Sequence, residues 1–124
     1  MSLPLRIDKK RIEPDITVLE LAGRLALGPD TRRVETMVEA LLRENERKFI
    51  VDLSGVDYID STGMGSITFC FTRVSQTGGG LRVAGPTDRV RQLFKMTRLD
   101  TVLPIYPTVQ AASEGFTIPS KPGS

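Results

Sequence analysis

The chain has 124 residues, a net charge of +2, 40% hydrophobic residues and 26% charged residues, which suits one soluble domain with its own core. The small net charge and the scattered basic residues argue against nucleic acid as a partner. One cysteine and no histidine exclude an internal disulfide, the usual general base and the usual zinc ligand. The sequence has no signal pattern and no apolar run of membrane-spanning length. We therefore expect a cytoplasmic protein that is not an enzyme, does not insert into membranes and needs no metal or cofactor.

The first third of the chain predicts two strands followed by one helix. Residues 3–12 and 16–21 read as strands joined by a Glu-Pro-Asp turn. Asp30 or Thr31 is suited to cap the helix that follows. The apolar positions of that helix repeat with the spacing of one helical face and are Val34, Met37, Val38, Leu41 and Leu42.

Strands and helices alternate through the rest of the chain. A β-branched run at residues 49–53 is typical of a strand covered on both faces, and a helix from about residue 61 ends at a glycine-rich turn. The later elements are predicted as a strand at 81–85, a helix with Pro86 in its first turn, an edge strand at 102–106 that contains Pro104, and a short helix at 108–114. The pattern predicts an α/β fold, with a single domain at residues 3–115 and a flexible tail at 116–124. We expect a mixed central β-sheet with mostly parallel strands and about four helices packed against it.

A serine stands where the strand at residues 49–53 leads, through a short turn, into the next helix. The sequence there reads Asp60-Ser-Thr-Gly-Met-Gly65. In one interpretation Asp60 or Ser61 simply caps the helix. In the other, the Ser61 hydroxyl accepts a phosphate, because the positive end of the helix favours an anionic group and the two glycines leave room for a partner's active site. Asp60 would repel that phosphate, which is acceptable in a switch that changes partner affinity.

Other features have simpler interpretations. Asp52, Asp57 and Asp60 are more easily explained as turn caps and a strand-end acid than as a magnesium site. The glycine-rich turn at residues 77–80 precedes a strand and lacks a following Lys-Ser/Thr, so it is interpreted as a helix-ending turn rather than a nucleotide loop. Cys70 lies on the apolar side of its helix and is interpreted as a small core residue.

Residues 50–65, Ile-Val-Asp-Leu-Ser-Gly-Val-Asp-Tyr-Ile-Asp-Ser-Thr-Gly-Met-Gly, resemble the signature of the STAS domain, particularly that of bacterial anti-sigma factor antagonists. Three further segments resemble the family in the same order. They are Leu-Glu-Leu-Ala-Gly-Arg-Leu at 19–25, Gly-Gly-Leu-Arg-Val-Ala-Gly at 79–85, and Val-Arg-Gln-Leu-Phe-Lys-Met-Thr-Arg-Leu-Asp at 90–100. The resemblance covers roughly residues 3–113.

The resemblance implies that Ser61 is phosphorylated by a cognate anti-sigma factor that is itself a serine kinase, with Thr62 as the second choice. It implies partner switching, in which the unmodified protein sequesters the kinase from a sigma factor and a phosphatase resets the modified form. The predicted partner surface, which includes the loop at residues 23–30, comprises Arg24, Asp30, Asp60, Ser61, Thr62, Gly63, Met64 and Gly65. Family members often carry acids where this chain has Arg24 and Ala26, which bears on the choice of kinase.

Two alternatives remain open from the sequence, and neither the sequence nor the resemblance predicts an oligomeric state. One alternative is a STAS subunit of another pathway, such as a stressosome-type scaffold or a lipid-transport complex. The other is a small α/β enzyme that binds a phosphorylated ligand at the start of the helix near Ser61. The absence of histidine argues against the enzyme.

Overall fold

The protein is described here by a computed structural model that covers residues 4–118. The strands are β1 (Arg6–Ile12), β2 (Ile16–Leu25), β3 (Lys48–Ile59), β4 (Gly80–Ala84) and β5 (Ile105–Tyr106). The helices are α1 (Pro29–Arg43), α2 (Ser61–Gln76), α3 (Asp88–Met96) and α4 (Val109–Ser113), with a 3₁₀ turn at Leu99–Thr101. Within residues 4–118, no helix combines the length and apolar character needed to cross a membrane.

The strands form one sheet in the order β1-β2-β3-β4-β5. β1 pairs with β2 in the antiparallel sense, and each of the other three pairings is parallel. A parallel pairing needs a crossover, and α1, α2 and α3 supply the three crossovers. The predicted α/β class, with a mixed sheet of mostly parallel strands and four helices, is confirmed.

The core lies on both faces of this sheet. Alternate residues of the central strand β3 divide between two clusters: Phe49 and Val51 belong to the larger, and Ile50 to the smaller. The larger cluster contains the buried apolar side chains of α1, α2 and α3, whereas the smaller contains Ala112 of α4 and Phe116. The prediction that residues 49–53 are covered on both faces is therefore confirmed.

β2 and β3 both extend beyond their predicted ends at residues 21 and 53. β3 continues past the end of β4, and β2 past the end of its pairing with β1 at Ala22, so that the last residues of β2 and β3 pair only with each other, up to the register partners Leu25 and Ile59. The pairing has register shifts between Glu20 and Ala22 and between Gly23 and Arg24, and these shifts break the apolar alternation that marks a strand in the sequence. The predicted loop at residues 23–30 is consequently reduced to the short segment between Leu25 and α1.

The caps of two helices differ from those predicted. α1 begins at Pro29, and its capping residue is Gly28 without a side-chain hydrogen bond, so neither Asp30 nor Thr31 is the cap. Pro29 fits the first helical position because its missing N–H would have no helical partner there. α3 is capped by Thr87, whose Oγ1 accepts a hydrogen bond from the backbone N–H of Val90 at 3.3 Å, so Pro86 precedes the helix rather than forming its first turn.

The last strand is shorter than predicted. β5 contains only Ile105 and Tyr106, because the N–H groups of Val102 and Leu103 donate to the carbonyl of Leu99 in the 3₁₀ turn and Pro104 has no N–H to donate to a sheet. The carbonyl of Pro104 still accepts a hydrogen bond from the N–H of Val83 at 2.9 Å. β5 is the last strand in the sheet order, which confirms the predicted edge position.

Phe116 belongs to the packed domain, although the sequence assigned it to the flexible tail. Its side chain is 7% exposed and lies in the smaller core cluster. The guanidinium of Arg82 lies 4.2 Å from the centroid of its ring. The sequence pattern did not predict this packing, because α4 is too short for its periodicity to show that the chain after it returns to the sheet. Residue 3 of the predicted first strand and residues 119–124 of the predicted tail lie outside the described residues.

Candidate functional site

Asp60 fixes the start of α2. Its Oδ1 accepts a hydrogen bond from the N–H of Gly63 at 2.8 Å, which makes Asp60 the N-cap. Its Oδ2 accepts a second hydrogen bond, from the N–H of Leu27 at 2.9 Å. One carboxylate therefore ties the β2–α1 loop to the helix start, and the capping role falls to Asp60 rather than to Ser61.

The Asp60 carboxylate is ionised at neutral pH. Partial burial acts to raise its pKa, but the backbone N–H donors of Leu27 and Gly63 oppose this, and the net effect is a lowered pKa. Because both oxygens are engaged within the fold, we interpret Asp60 as the residue that positions the site. It adds a fixed negative charge beside Ser61.

Ser61 and Thr62 are the first two residues of α2, and both are exposed. The Ser61 hydroxyl makes no hydrogen bond to any residue in the described part of the chain. Burial of this hydroxyl would have excluded a role as a phosphate acceptor, and the fold leaves it accessible. Phosphorylation of Ser61, with Thr62 as second choice, stays a prediction.

The two glycines of the segment have different environments. Gly63 is buried, and a Cβ added there would overlap the carbonyl oxygen of Leu25 and lie 2.9 Å from Cγ1 of Ile59. Gly65 is exposed, and a Cβ there would meet nothing within 4 Å. Gly63 therefore allows α2 to approach the end of β2 closely, and only Gly65 leaves open space on the surface.

Met64 also lies beneath the surface. Its side chain is 7% exposed, and its Sδ is 3.9 Å from Oγ1 of Thr97, just past the end of α3. The prediction from sequence placed all residues from 60 to 65 on one exposed partner surface. In the fold, Gly63 and Met64 support this patch from below and do not form its exposed part.

Two exposed apolar side chains extend the surface and were not predicted. Leu27, in the loop held by Asp60, is 80% exposed, and Phe69 on α2 is 44% exposed. The exposed face of α2 runs through Ser61, Gly65 and Phe69, and no residue from 61 to 72 is charged. A sequence signal existed for both, because Leu27 precedes the Gly-Pro break and Phe69 lies off the buried stripe of its helix. We name Leu27, Ser61, Thr62, Gly65 and Phe69 the uncharged surface.

Arg24 and Asp30 occupy different settings from each other. Arg24 is exposed, and its guanidinium lies 4.0 Å from the centroid of the Tyr58 ring, on the neighbouring strand. Asp30 makes internal contacts: its carboxylate accepts a hydrogen bond from the N–H of Leu5 at 3.1 Å and pairs with Nη1 of Arg33 at 2.9 Å. Arg24 is therefore available to a partner, whereas Asp30 anchors the segment before β1.

The acidic and thiol side chains that could carry chemistry have structural settings in the described part of the chain. Among residues 4–118, no three His, Cys, Asp or Glu side chains come together as metal ligands. The carboxylate of Asp52 instead accepts a hydrogen bond from the N–H of Ser54 at 3.0 Å, as in a turn. Cys70 is buried, and burial raises the pKa of its thiol to about 12. The start of α2 thus presents exposed, uncharged side chains beside the ionised Asp60 carboxylate.

The chain is similar to known proteins both in sequence and in structure. The STAS domain family model matches residues 9–112. The anti-sigma-B factor antagonist of Bacillus subtilis is 32% identical over 113 residues, which cover 90% of this chain and 95% of that protein. Among solved structures, one from Thermotoga maritima has a TM-score of 0.81 at 25% identity, covering 89% of this chain and 93% of the other. An anti-sigma factor antagonist from Mycobacterium paratuberculosis has a TM-score of 0.81 at 19% identity, covering 94% and 98%.

The mixed sheet, its four helices and the serine-bearing helix start define a STAS fold. The chain belongs to the STAS domain family. Within that family its relatives include proteins named anti-sigma factor antagonists, which are regulatory proteins rather than enzymes.

Proposed function

We propose that this protein is an anti-sigma factor antagonist that binds an anti-sigma factor serine kinase and is switched by phosphorylation of Ser61. The observation that carries the proposal is the exposed Ser61 hydroxyl, held at the start of α2 by the Asp60 cap. The relationship to the anti-sigma-B factor antagonist of Bacillus subtilis supports the class of partner.

In the unmodified state, the uncharged surface docks onto the kinase. Leu27 and Phe69 contribute apolar area, and Gly65 allows close approach of the partner to the helix backbone. Burying an uncharged surface costs less desolvation than burying ionised side chains. The kinase is thereby withheld from its sigma factor, which is free to act. ATP and magnesium belong to the kinase.

Phosphorylation of Ser61 gives this uncharged surface a strong negative charge. A phosphate on Ser61 adds about −1.5 to −2 charges at neutral pH, directly beside the ionised Asp60 carboxylate. Placing such a charge against a partner surface that fits the neutral form costs several kcal/mol, and each ~1.4 kcal/mol weakens binding tenfold. In the free protein, the positive end of the α2 dipole partly offsets the repulsion between this phosphate and Asp60. The switch therefore requires no refolding, and a phosphatase restores the binding form.

The test is incubation with candidate anti-sigma factor kinases, ATP and magnesium, followed by mass spectrometry of the tryptic peptide at residues 49–73. Fragmentation of this peptide distinguishes Ser61 from the other hydroxyl residues. We expect one phosphoryl group on Ser61, none on a Ser61→Ala variant, and undiminished labelling of a Thr62→Val variant. Labelling of Ser61→Ala at Thr62 would move the site by one residue, and absence of both labelling and binding would contradict the proposal.

A second experiment tests charge as the basis of the switch. Ser61→Asp should weaken kinase binding by about tenfold or more, because it places a negative charge on the uncharged surface. Ser75→Asp is the matched control, since Ser75 is an exposed hydroxyl residue near the other end of α2. Equal affinities of the two variants would show that the charge at residue 61 does not control binding.

A further inference from the structure

A groove lies beside the uncharged surface, between the end of β3 and α3. It has a volume of about 590 Å³ and is lined by Tyr58, Ile59, Arg89, Gln92 and Leu93. Ile59 is buried and Leu93 half-buried, so the groove has apolar side chains within it and polar ones along its wall.

Arg24 stands at the edge of this groove. It is the register partner of Tyr58 in the β2–β3 pair, and its guanidinium lies 4.0 Å from the centroid of the Tyr58 ring. A guanidinium stacked on an aromatic ring keeps its N–H donors directed outward in its own plane. Tyr58 therefore orders Arg24 while leaving its hydrogen-bonding edge available.

Neither cation at the groove has a carboxylate partner among residues 4–118. Within the described residues, neither Arg24 nor Arg89 forms an ion pair, although several other arginines do. Asp88, beside Arg89 in sequence, instead pairs with Nη2 of Arg91 at 3.5 Å. Asp57 is exposed and forms no ion pair with either groove arginine. Two guanidinium groups thus remain free to bind an external anionic group.

We infer that this arginine groove (Arg24, Tyr58, Arg89) binds an acidic segment of the partner protein and selects among anti-sigma factors. The identity of the partner rests on the proposed function. Charge complementarity identifies the chemistry, because two planar guanidinium groups match carboxylates through paired hydrogen bonds. A nucleic acid is disfavoured, because the net charge is only +2 and the basic residues form no extended stripe.

The groove and Ser61 can be covered by one partner. Leu25 follows Arg24 and pairs with Ile59, and its carbonyl accepts a hydrogen bond from the N–H of Asp60 at 3.4 Å. The carboxyl ends of β2 and β3 therefore present the groove and the start of α2 at the same edge of the sheet. A kinase that docks over Ser61 brings its own charged residues to Arg24, which then discriminates between partners by attraction or repulsion.

The first test uses the kinase that labels Ser61. Arg24→Glu and Arg89→Glu should each reduce its association rate at least tenfold at low ionic strength, and the deficit should shrink as salt is added. Arg43→Glu makes the same change in charge at the far end of α1 and should alter the rate less than twofold. Replacing an acidic partner residue with lysine should restore binding to Arg24→Glu. Wild-type rates for both groove variants would overturn the inference.

A second test needs no kinase. Titration of the wild-type protein with a hexaglutamate peptide should shift the NMR resonances of Arg24, Tyr58 and Arg89 more than those of Arg43, and Arg24→Glu should remove the shifts. Inorganic phosphate at equal concentration should produce much smaller shifts. Shifts spread evenly over all exposed cations, or equal shifts with phosphate, would overturn the inference.

The two proposals fail in different ways. If Ser61 is labelled and the kinase binds the groove variants normally, the proposed function stands and the arginine groove does not select the partner. If hexaglutamate binds the groove while no anti-sigma factor binds or labels the protein, the groove recognises acidic segments of another class of partner, and the proposed function fails.

Discussion

Gly63 and Gly65 offer a matched pair of substitutions at the start of α2. Both are helical glycines two residues apart. Because alanine has the higher helix propensity, replacing either glycine with alanine should by itself stabilise the helix by up to about 1 kcal/mol. Their surroundings differ, because a Cβ at residue 63 would overlap the carbonyl oxygen of Leu25, whereas a Cβ at residue 65 meets nothing within 4 Å. Any difference between the two alanine variants therefore measures the packing of α2 against β2.

The expected magnitudes follow from these surroundings. Overpacking lowers the free energy of unfolding by ~1–3 kcal/mol. Because the backbone carbonyl of Leu25 cannot move aside as a flexible side chain does, we take the upper value, about 3 kcal/mol, for the added Cβ at Gly63. Subtracting about 1 kcal/mol of helix propensity leaves a net loss of about 2 kcal/mol for Gly63→Ala. Gly65→Ala should instead raise the free energy of unfolding by about 0.5–1 kcal/mol.

Urea denaturation followed by circular dichroism measures both values, provided that the slope m is the same for the variants. In thermal unfolding, the Tm of Gly63→Ala should be about 8 °C below that of the wild type, at roughly 4 °C per kcal/mol for a domain of this size. Equal stabilities of the two variants would show that α2 does not approach Leu25 as closely as the structure has it. The position of Ser61 relative to the end of β2 depends on that approach.

Three further predictions concern the cap, the buried thiol and the end of the domain. Asp60→Ala should lower the free energy of unfolding by about 0.5–2 kcal/mol in urea titrations. The folded-state pKa of Asp60 is lowered, so the contribution of its carboxylate to stability is complete above the ordinary value of 3.8 and is lost as the pH falls through the folded value. Asp60→Asn should remove this pH dependence, but it offers one acceptor oxygen to the two N–H groups of Gly63 and Leu27 and should therefore be less stable than the wild type at neutral pH. Cys70, with a thiol pKa of about 12, should react with a thiol reagent at mildly alkaline pH only as fast as the protein unfolds. Deleting residues 116–124 should cost about 3 kcal/mol through loss of the buried Phe116, whereas deleting residues 119–124 should change stability by less than about 0.5 kcal/mol.

Each of these has a result that would contradict it. An Asp60→Asn variant with the same acid-range loss as the wild type would assign that loss to other carboxylates. Rapid modification of Cys70 in the native protein would show that α2 opens locally. Equal stability of the two truncated chains would show that Phe116 contributes nothing to the smaller cluster.

Periodic patterns in the sequence determined the elements and the fold class. An element that is buried on one or two faces has apolar residues at regular positions in the sequence, and this spacing predicts its type. Such spacing marked α1, the β-branched run in β3 and the alternation of strands with helices. The match of the segment around Ser61 to a family signature is enough by itself to locate the candidate site. These features are local in the chain.

The tertiary structure decided what local patterns cannot specify. Only the pairing of β2 with β3 shows that Gly63 is buried against Leu25 while Gly65 is open, since both residues look alike in sequence. Only the fold brings the N–H of Leu27 to Asp60 and stacks Arg24 on Tyr58. Such contacts join residues far apart in the chain, and their energies depend on distances that chain connectivity alone does not set. The sequence therefore located the hydroxyl, whereas the fold determined which of its neighbours a partner can reach.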